Sequence, residues 1–212
     1  MVNKEAVDFS INWWKGRHEA PDAYFPKMEQ HWNWRLYEEM PGWFLKMAKP
    51  QPGDVVLEIG CGYGQWMAPL SKLVQWVDGF DIHPSLAVKF VEQMAAFRNT
   101  NMMVGNGTVI PFPGPYSLVY SISVFQHMPR AIVYEYFKEI KRVLTPDGRA
   151  LLHFRYADND GPYADDIVID HAGDWSVGWT KEEADAVCQE TGLKITEHEA
   201  GGHSLIILVK AT

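Results

Sequence analysis

Three features of this chain have residue types and spacing that could do chemistry. The first is a set of glycines at alternate positions, Gly60, Gly62 and Gly64, directly after the apolar run Val55-Val56-Leu57-Glu58-Ile59. Without Cβ atoms such a loop can turn sharply and lay its backbone against a ligand. The second is Asp81, which closes another apolar run, WVDGFDI. A strand, a glycine loop and a carboxylate at the end of the following strand describe a site for a nucleoside-bearing cofactor. The third is His127, a few residues past the apolar segment SLVYSISVF. With an ordinary pKa near neutrality, an imidazole there can accept a proton at physiological pH.

The glycine spacing narrows the cofactor. A dinucleotide fingerprint needs its third glycine at position 65, which is Gln65. That disfavours a nicotinamide oxidoreductase. No Gly-Lys-Ser/Thr closes the turn, so it is not a P-loop. GxGxG instead leaves room for a bulky sulfonium amino acid against the loop.

These residues must be carried by regular elements. Val55–Ile59 reads as a buried strand, with a helix over about 65–74 after the glycine loop. Trp76–Asp81 is a second strand, followed by a helix that begins after Pro84 and runs to about Arg98. Further strands are expected near 102–104, 118–122 and 149–154. A helix over about 130–144 carries Ile132, Tyr136, Ile140 and Val143 on one stripe. Thr145–Gly148, TPDG, reads as a turn. Thr180 and Glu183 make a capping box for a helix that Gly192 ends. Segments 194–199 and 204–210 are the last two strands. Ahead of this pattern, residues 1–50 are rich in aromatics and suggest helices over about 4–14, 27–39 and 41–48. Alternating strands and helices imply a doubly wound α/β fold. The expectation is a seven-stranded sheet, mostly parallel with an antiparallel last strand, helices on both faces and an N-terminal helical lid. Ligands in such folds sit at the carboxyl ends of the strands.

Taken together, EIGCGYG (58–64), GFDIHPS (79–85), VGNGTVIPFP (104–113) and SLVYSISVFQHMP with EIKRVLTPDGRALLHF (117–154) resemble class I S-adenosylmethionine-dependent methyltransferases. The resemblance runs from about Gln51 to Thr212. It implies that Glu58, Gly60, Cys61, Gly62 and Gly64 hold the methionine portion of S-adenosylmethionine and that Asp81 takes the ribose hydroxyls. Ile82, Asn106 and Gly107 would surround the adenine, and Ser121 would border the transfer site. His127 is the expected general base. Phe125, His153, Arg155 and Tyr156 are the expected substrate-binding residues. Cys61 is a small packing residue rather than a thiol nucleophile. Two positions depart from the family pattern. Asn106 stands where an aspartate usually accepts from adenine, although an amide carbonyl can accept the same bond. Ser117 stands where an aspartate usually opens strand 4.

The product implied is S-adenosylhomocysteine, and the activity is methyl transfer to an oxygen or nitrogen of a small molecule. A cofactor-binding scaffold without turnover, or a protein methyltransferase, are the alternatives. Within this reading residues 1–50 form an aromatic-rich extension. Residues 51–212 form the domain, with a substrate-loop insertion at about 157–179. The acids of that insertion match no metal-loop spacing, so no metal is expected.

Composition sets the remaining bounds. The net charge is −8 and no Lys/Arg run exists, which argues against a nucleic-acid partner. No apolar run approaches a membrane span. The N-terminus lacks a signal-peptide core, and Cys61 and Cys188, the only cysteines, are scattered. A cytoplasmic protein is expected. The oligomeric state is open.

Overall fold

A computed structural model describes residues 8, 10–14, 16, 36–157, 168–169 and 175–212. The strands are β1 (Val55–Ile59), β2 (Trp76–Asp81), β3 (Thr100–Val104), β4 (Tyr116–Ser121), β5 (Leu144–Tyr156), β6 (Val168–Ile169), β7 (Trp175–Ser176), β8 (Gly178–Trp179), β9 (Leu193–Gly201) and β10 (Ser204–Ala211). The helices are α1 (Gly42–Ala48), α2 (Met67–Ser71), α3 (Pro84–Met94), α4 (Arg130–Val143) and α5 (Lys181–Thr191). The main sheet runs β3-β2-β1-β4-β5-β10-β9, and the short β8 pairs with the end of β5. The first five strands are parallel. β10 is antiparallel to both of its neighbours. Among the described residues this is the expected α/β architecture.

The sheet buries both faces because its central strands are apolar throughout. On one face Leu57, Ile59, Val119 and Phe154 pack against Tyr136 and Phe137 of α4. On the other, Val56, Tyr120 and Leu151 pack against Phe44, Met67 and Phe90 of α1, α2 and α3. The alternation puts Glu58 on the second face, beneath Tyr120. At the opposite end of the sheet from the glycine loop, Arg149 pairs with Asp54 at 2.7 Å and donates to the Ala48, Lys49 and Ser117 carbonyls. The Ser117 hydroxyl donates to Asp54 Oδ1 and accepts the Val55 N–H. The serine thus ties β1 to β4 in the place where an aspartate was expected.

The capping box is present: Thr180 accepts from the Glu183 N–H, Glu183 accepts from the Thr180 N–H, and Gly192 closes α5 in the left-handed region. Several expected boundaries differ. α2 is only the short Met67–Ser71, because turns occupy 62–66 and the chain leaves the helix at Lys72. α3 ends at Met94 rather than near Arg98. Leu36–Glu39 is not helical, and the rest of the expected 27–39 helix lies outside the described residues. The TPDG segment lies within β5 rather than before it. Tyr116 pairs with Leu144 and Leu118 with Arg149, so the extra residues are accommodated as an irregularity inside the strand. Residues 10–14 are helical, as expected for the first helix.

Candidate cofactor site

The site lies where parallel strands end, at the carboxyl edge of β1, β2 and β4. The chain leaves β1 into Gly60 (φ 73°), Gly62 (φ 55°) and Gly64 (φ 96°), all in the left-handed region that favours glycine. The three do different things. A Cβ on Gly60 would lie 2.5 Å from Val124 Cγ2, so this glycine lets the β4 loop close onto the turn. A Cβ on Gly64 would lie 2.9 Å from Met94 Cγ, so that glycine serves packing against α3. A Cβ on Gly62 would meet nothing within 4 Å. Its open side faces a cavity of about 300 Å³, which Gly60 and Gly62 line and Gly64 does not.

Asp81 enters the cavity from the end of β2. Its Oδ2 accepts the Gly62 N–H at 2.9 Å and its Oδ1 the Ile82 N–H at 2.7 Å. The His83 backbone amide bonds the same carboxylate. Burial pushes the Asp81 carboxyl above its usual range, against the pull of the Gly62, Ile82 and His83 amides. Glu58, 2% exposed, also reaches the cavity wall. Tyr120 donates its hydroxyl to Glu58 Oε2 at 2.6 Å. Burial raises the Glu58 carboxyl to about 8 despite this bond, and nearby Asp81 adds to the rise. Cys61 lies with its side chain against Gly79, where a Cβ would sit 2.9 Å from its Sγ. Burial holds its thiol well above the ordinary range, which fits packing and not nucleophilic chemistry.

His127 lines the same cavity at the end of a single 3₁₀ turn, Phe125–His127. Gln126 Nε2 lies 3.1 Å from His127 Nε2. An amide nitrogen only donates, so the ring nitrogen is the acceptor and Nδ1 carries the proton of the neutral ring. Trp14 meets the imidazole edge-on at a 5.0 Å centroid distance, and the Ser10 hydroxyl donates to the His127 carbonyl. Ile11 of the same helical stretch packs on Gly107.

The structure therefore gathers Glu58, Gly60, Cys61, Gly62, Asp81, Ile82, Gly107 and His127 around one cavity. Other expected residues stand elsewhere. The Asn106 side chain is exposed, and its Oδ1 accepts from the Thr108 and Val109 amides and the Thr108 hydroxyl. That oxygen is consumed by its own turn. Ser121 is fully buried and donates to the Ile59 carbonyl. Phe125 is 0% exposed and packs among Tyr136, Phe137 and Phe154 in the core. His153 sits behind the cavity wall. Arg155 donates to the Ser176 hydroxyl, and the Tyr156 N–H to the His203 carbonyl. None of these four expected substrate residues lines the cavity. The expected insertion lies mostly outside the described residues, as do Trp32, Trp34, His31 and Arg35.

Tyr63, Ser123 and Val124 lie in the loops after β1 and β4 and line the cavity, and the sequence reading did not single out Trp66 and Met128, which add aromatic and apolar surface. Ser10, Ile11 and Trp14 were foreshadowed only by the aromatic content of the first helix. No group of three or more His, Cys, Asp or Glu side chains among the described residues could hold a metal ion. No helix among them is long and apolar enough to cross a membrane.

Residues 56–148 match a family model described as a methyltransferase domain. A 2-methyl-6-phytyl-1,4-hydroquinone methyltransferase of Synechocystis sp. is 31% identical over 99 residues, covering 46% of this chain and 30% of that protein. This chain thus spans under a third of that relative's length. Among solved structures, a DhpI complex with SAH superposes with a TM-score of 0.68 at 13% identity, covering 97% of each chain. A TehB-like SAM-dependent methyltransferase from Corynebacterium glutamicum gives 0.64 at 21% identity, covering 92% of this chain and 97% of that one. At these identities the superpositions speak to the fold.

Proposed function

We propose that this chain, whose residues 56–148 match a methyltransferase domain, is a class I methyltransferase that moves a methyl group from S-adenosylmethionine to an oxygen or nitrogen of a small-molecule acceptor. The observation that carries the proposal is the open face of Gly62 beside the Asp81 carboxylate, with His127 on the wall of the same cavity. A glycine loop without a Cβ obstruction, a carboxylate for vicinal hydroxyls and a proton acceptor are the parts such a transfer needs.

The electrophilic methyl is chemistry that the cofactor supplies when bound, so the chain's work is to hold two reactants in line and manage one proton. Asp81 takes the ribose hydroxyls. Glu58 and the Gly60–Gly62 backbone hold the amino-acid end. Ile82 and Gly107 border the base, with Ile11 covering Gly107. His127 accepts the proton of a hydroxyl or ammonium acceptor at Nε2, which requires the Gln126 amide to release that nitrogen, while Nδ1 keeps its hydrogen. The aromatic and apolar wall of Trp14, Val124 and Met128 excludes water from the transfer end. The free, buried and unpaired Cys61 and Cys188 support a reducing, cytoplasmic setting for this activity.

Thermal melting with S-adenosylmethionine, S-adenosylhomocysteine, NAD and NADP tests the proposal. A ligand that binds only the native state raises the melting temperature by mass action. Stabilisation by the two sulfur nucleosides alone is the expected result and leads to a methyl-acceptor screen. Stabilisation by a nicotinamide cofactor, or by none, overturns it.

A further inference from the structure

His153 does not line the cavity, yet its ring bonds both the loop after β4 and strand β10. It stands near the end of β5. Its Nδ1 lies 3.0 Å from the Ser123 backbone nitrogen and 3.4 Å from the Ser123 hydroxyl oxygen. Its Nε2 lies 3.0 Å from the Ser204 hydroxyl oxygen on β10. A backbone N–H can only donate, so Nδ1 is an acceptor, and in the neutral ring Nε2 carries the hydrogen and donates to Ser204. Burial favours this form, holding the imidazole down at about 4.

The residue held by this acceptor is unusual. Ser123 has φ 58°, and apart from Lys49 it is the only non-glycine in the left-handed region among the described residues. A non-glycine residue in that region is strained and persists where its surroundings over-determine it. Ser123 is also a wall of the cavity. The next residue, Val124, closes onto Gly60 so tightly that a Cβ on the glycine would lie 2.5 Å from it. The Val124 carbonyl in turn accepts the His127 N–H. A single chain of contacts therefore runs from His153 through Ser123 and Val124 to the glycine loop on one side and to His127 on the other.

We infer that His153 is a positioning residue for the cofactor site: as a neutral hydrogen-bond acceptor it pins Ser123 in its left-handed conformation, which sets Val124 against Gly60 and aims the turn that carries His127. The inference rests on the reading of the cavity as the cofactor site. Two features make the acceptor chemistry the determinant rather than ring volume. The bond goes to a backbone amide that has no other acceptor in this turn, and that amide belongs to the strained residue. Leaving a half-buried N–H without its partner costs more than losing a contact between two side chains.

Two measurements on the full chain test this. The first needs no ligand. Nitrogen-15 NMR of the histidine rings is expected to show His153 with an unprotonated Nδ1 coupled across a hydrogen bond to the Ser123 amide. A His153 ring with the hydrogen on Nδ1 overturns the inference. The second is calorimetric titration with S-adenosylhomocysteine. His153→Leu removes the acceptor and is expected to weaken binding about tenfold, the scale of one lost hydrogen bond to a buried amide. His153→Asn places a carbonyl oxygen near the Nδ1 position and is expected to return binding to within about threefold of wild type. If the leucine protein does not fold, His153→Gln, whose amide reaches the Ser204 side, replaces it as the variant without an acceptor at Ser123. Equal affinity in leucine (or glutamine) and wild type overturns the inference, and so does an asparagine variant as weak as leucine. Absence of binding in the wild type itself would instead overturn the cofactor reading, leaving the NMR measurement to decide the role of His153.

Discussion

The tip of the glycine loop is tied to the acid of the neighbouring strand: the Gly62 N–H donates to Asp81 Oδ2 at 2.9 Å. With Ile82 bonded to the other oxygen and the His83 amide adding a third bond, the carboxylate is aimed by backbone amides before any ligand arrives. Asp81→Asn would turn an amide NH₂ toward one of those donors, so it should disturb the loop as well as the ribose contact. The expected outcome is a loss of tenfold or more in S-adenosylhomocysteine affinity, the scale of hydrogen bonds to a charged group. Unchanged affinity by calorimetry would remove Asp81 from the site.

The glycines of the loop should separate by experiment. Gly62→Ala meets no atom of the protein but projects into the ligand's space, whereas Gly64→Ala meets Met94. Both pay roughly 1–2 kcal/mol for a left-handed alanine. Gly64→Ala is expected to lose further stability in denaturant unfolding, and Gly62→Ala to lose ligand affinity out of proportion to its stability. Reversed rankings would reassign the two positions.

Burial raises Glu58 to about 8, far above a free carboxyl. A group whose pKa is raised in the folded state binds its proton more tightly there, so its contribution is fully present below the unfolded value and is lost as pH climbs through the folded one. The unfolding free energy of the wild type relative to Glu58→Gln should therefore decline from about pH 4.5 to about pH 8 and level off above. A pH-independent difference would mean that Glu58 is ionised throughout.

The proposed function has His127 accept a proton at Nε2. His127→Ala should lower turnover with an identified acceptor by about 10²–10⁴-fold, the usual range for a lost general base. S-adenosylhomocysteine affinity should change far less, since the imidazole sits at the transfer end. Equal turnover would take His127 out of the mechanism and leave it as a platform for Trp14.

Away from the site, Asp54 and Arg149 are a buried pair, with side chains 7% and 15% exposed. Burial works against the Asp54 charge, but the Arg149 bonds, the Gln51 amide and the Ser117 hydroxyl win and hold its carboxyl below the usual range. Arg149→Met leaves that carboxylate uncompensated and should cost about 3 kcal/mol or more in unfolding. A double variant with Asp54→Leu should recover part of the loss. An undiminished penalty in the double variant would locate the effect in the carbonyls of Ala48 and Lys49 instead.

What could be read from the chain divides along a physical line. The strands, the capping box at Thr180 and the places of Gly62 and Asp81 at the strand ends follow from local patterns of burial and backbone freedom, which are written in consecutive residues. Asn106 misled because its side chain competes for its own amides, a choice made by loop geometry and not by residue type. Phe125 and His153 misled for a related reason. Phe125 in its 3₁₀ turn and His153 near the end of β5 could each face the cavity or the layer behind it, and the packing of the surrounding elements decides. The contacts of Ser10, Ile11 and Trp14 join segments a hundred residues apart, and no spacing rule reaches that far.

The placement of residues 10–14 has a consequence for time rather than affinity. Ile11 covers Gly107 at one end of the cavity, and Trp14 and Ser10 hold His127 at the other. Under the proposed function, a product seated beneath that helical stretch would leave when the stretch lifts, a motion of a kind that occurs in microseconds to milliseconds or slower. Its residence time would then depend on Ser10, Ile11 and Trp14 as well as on the glycine loop.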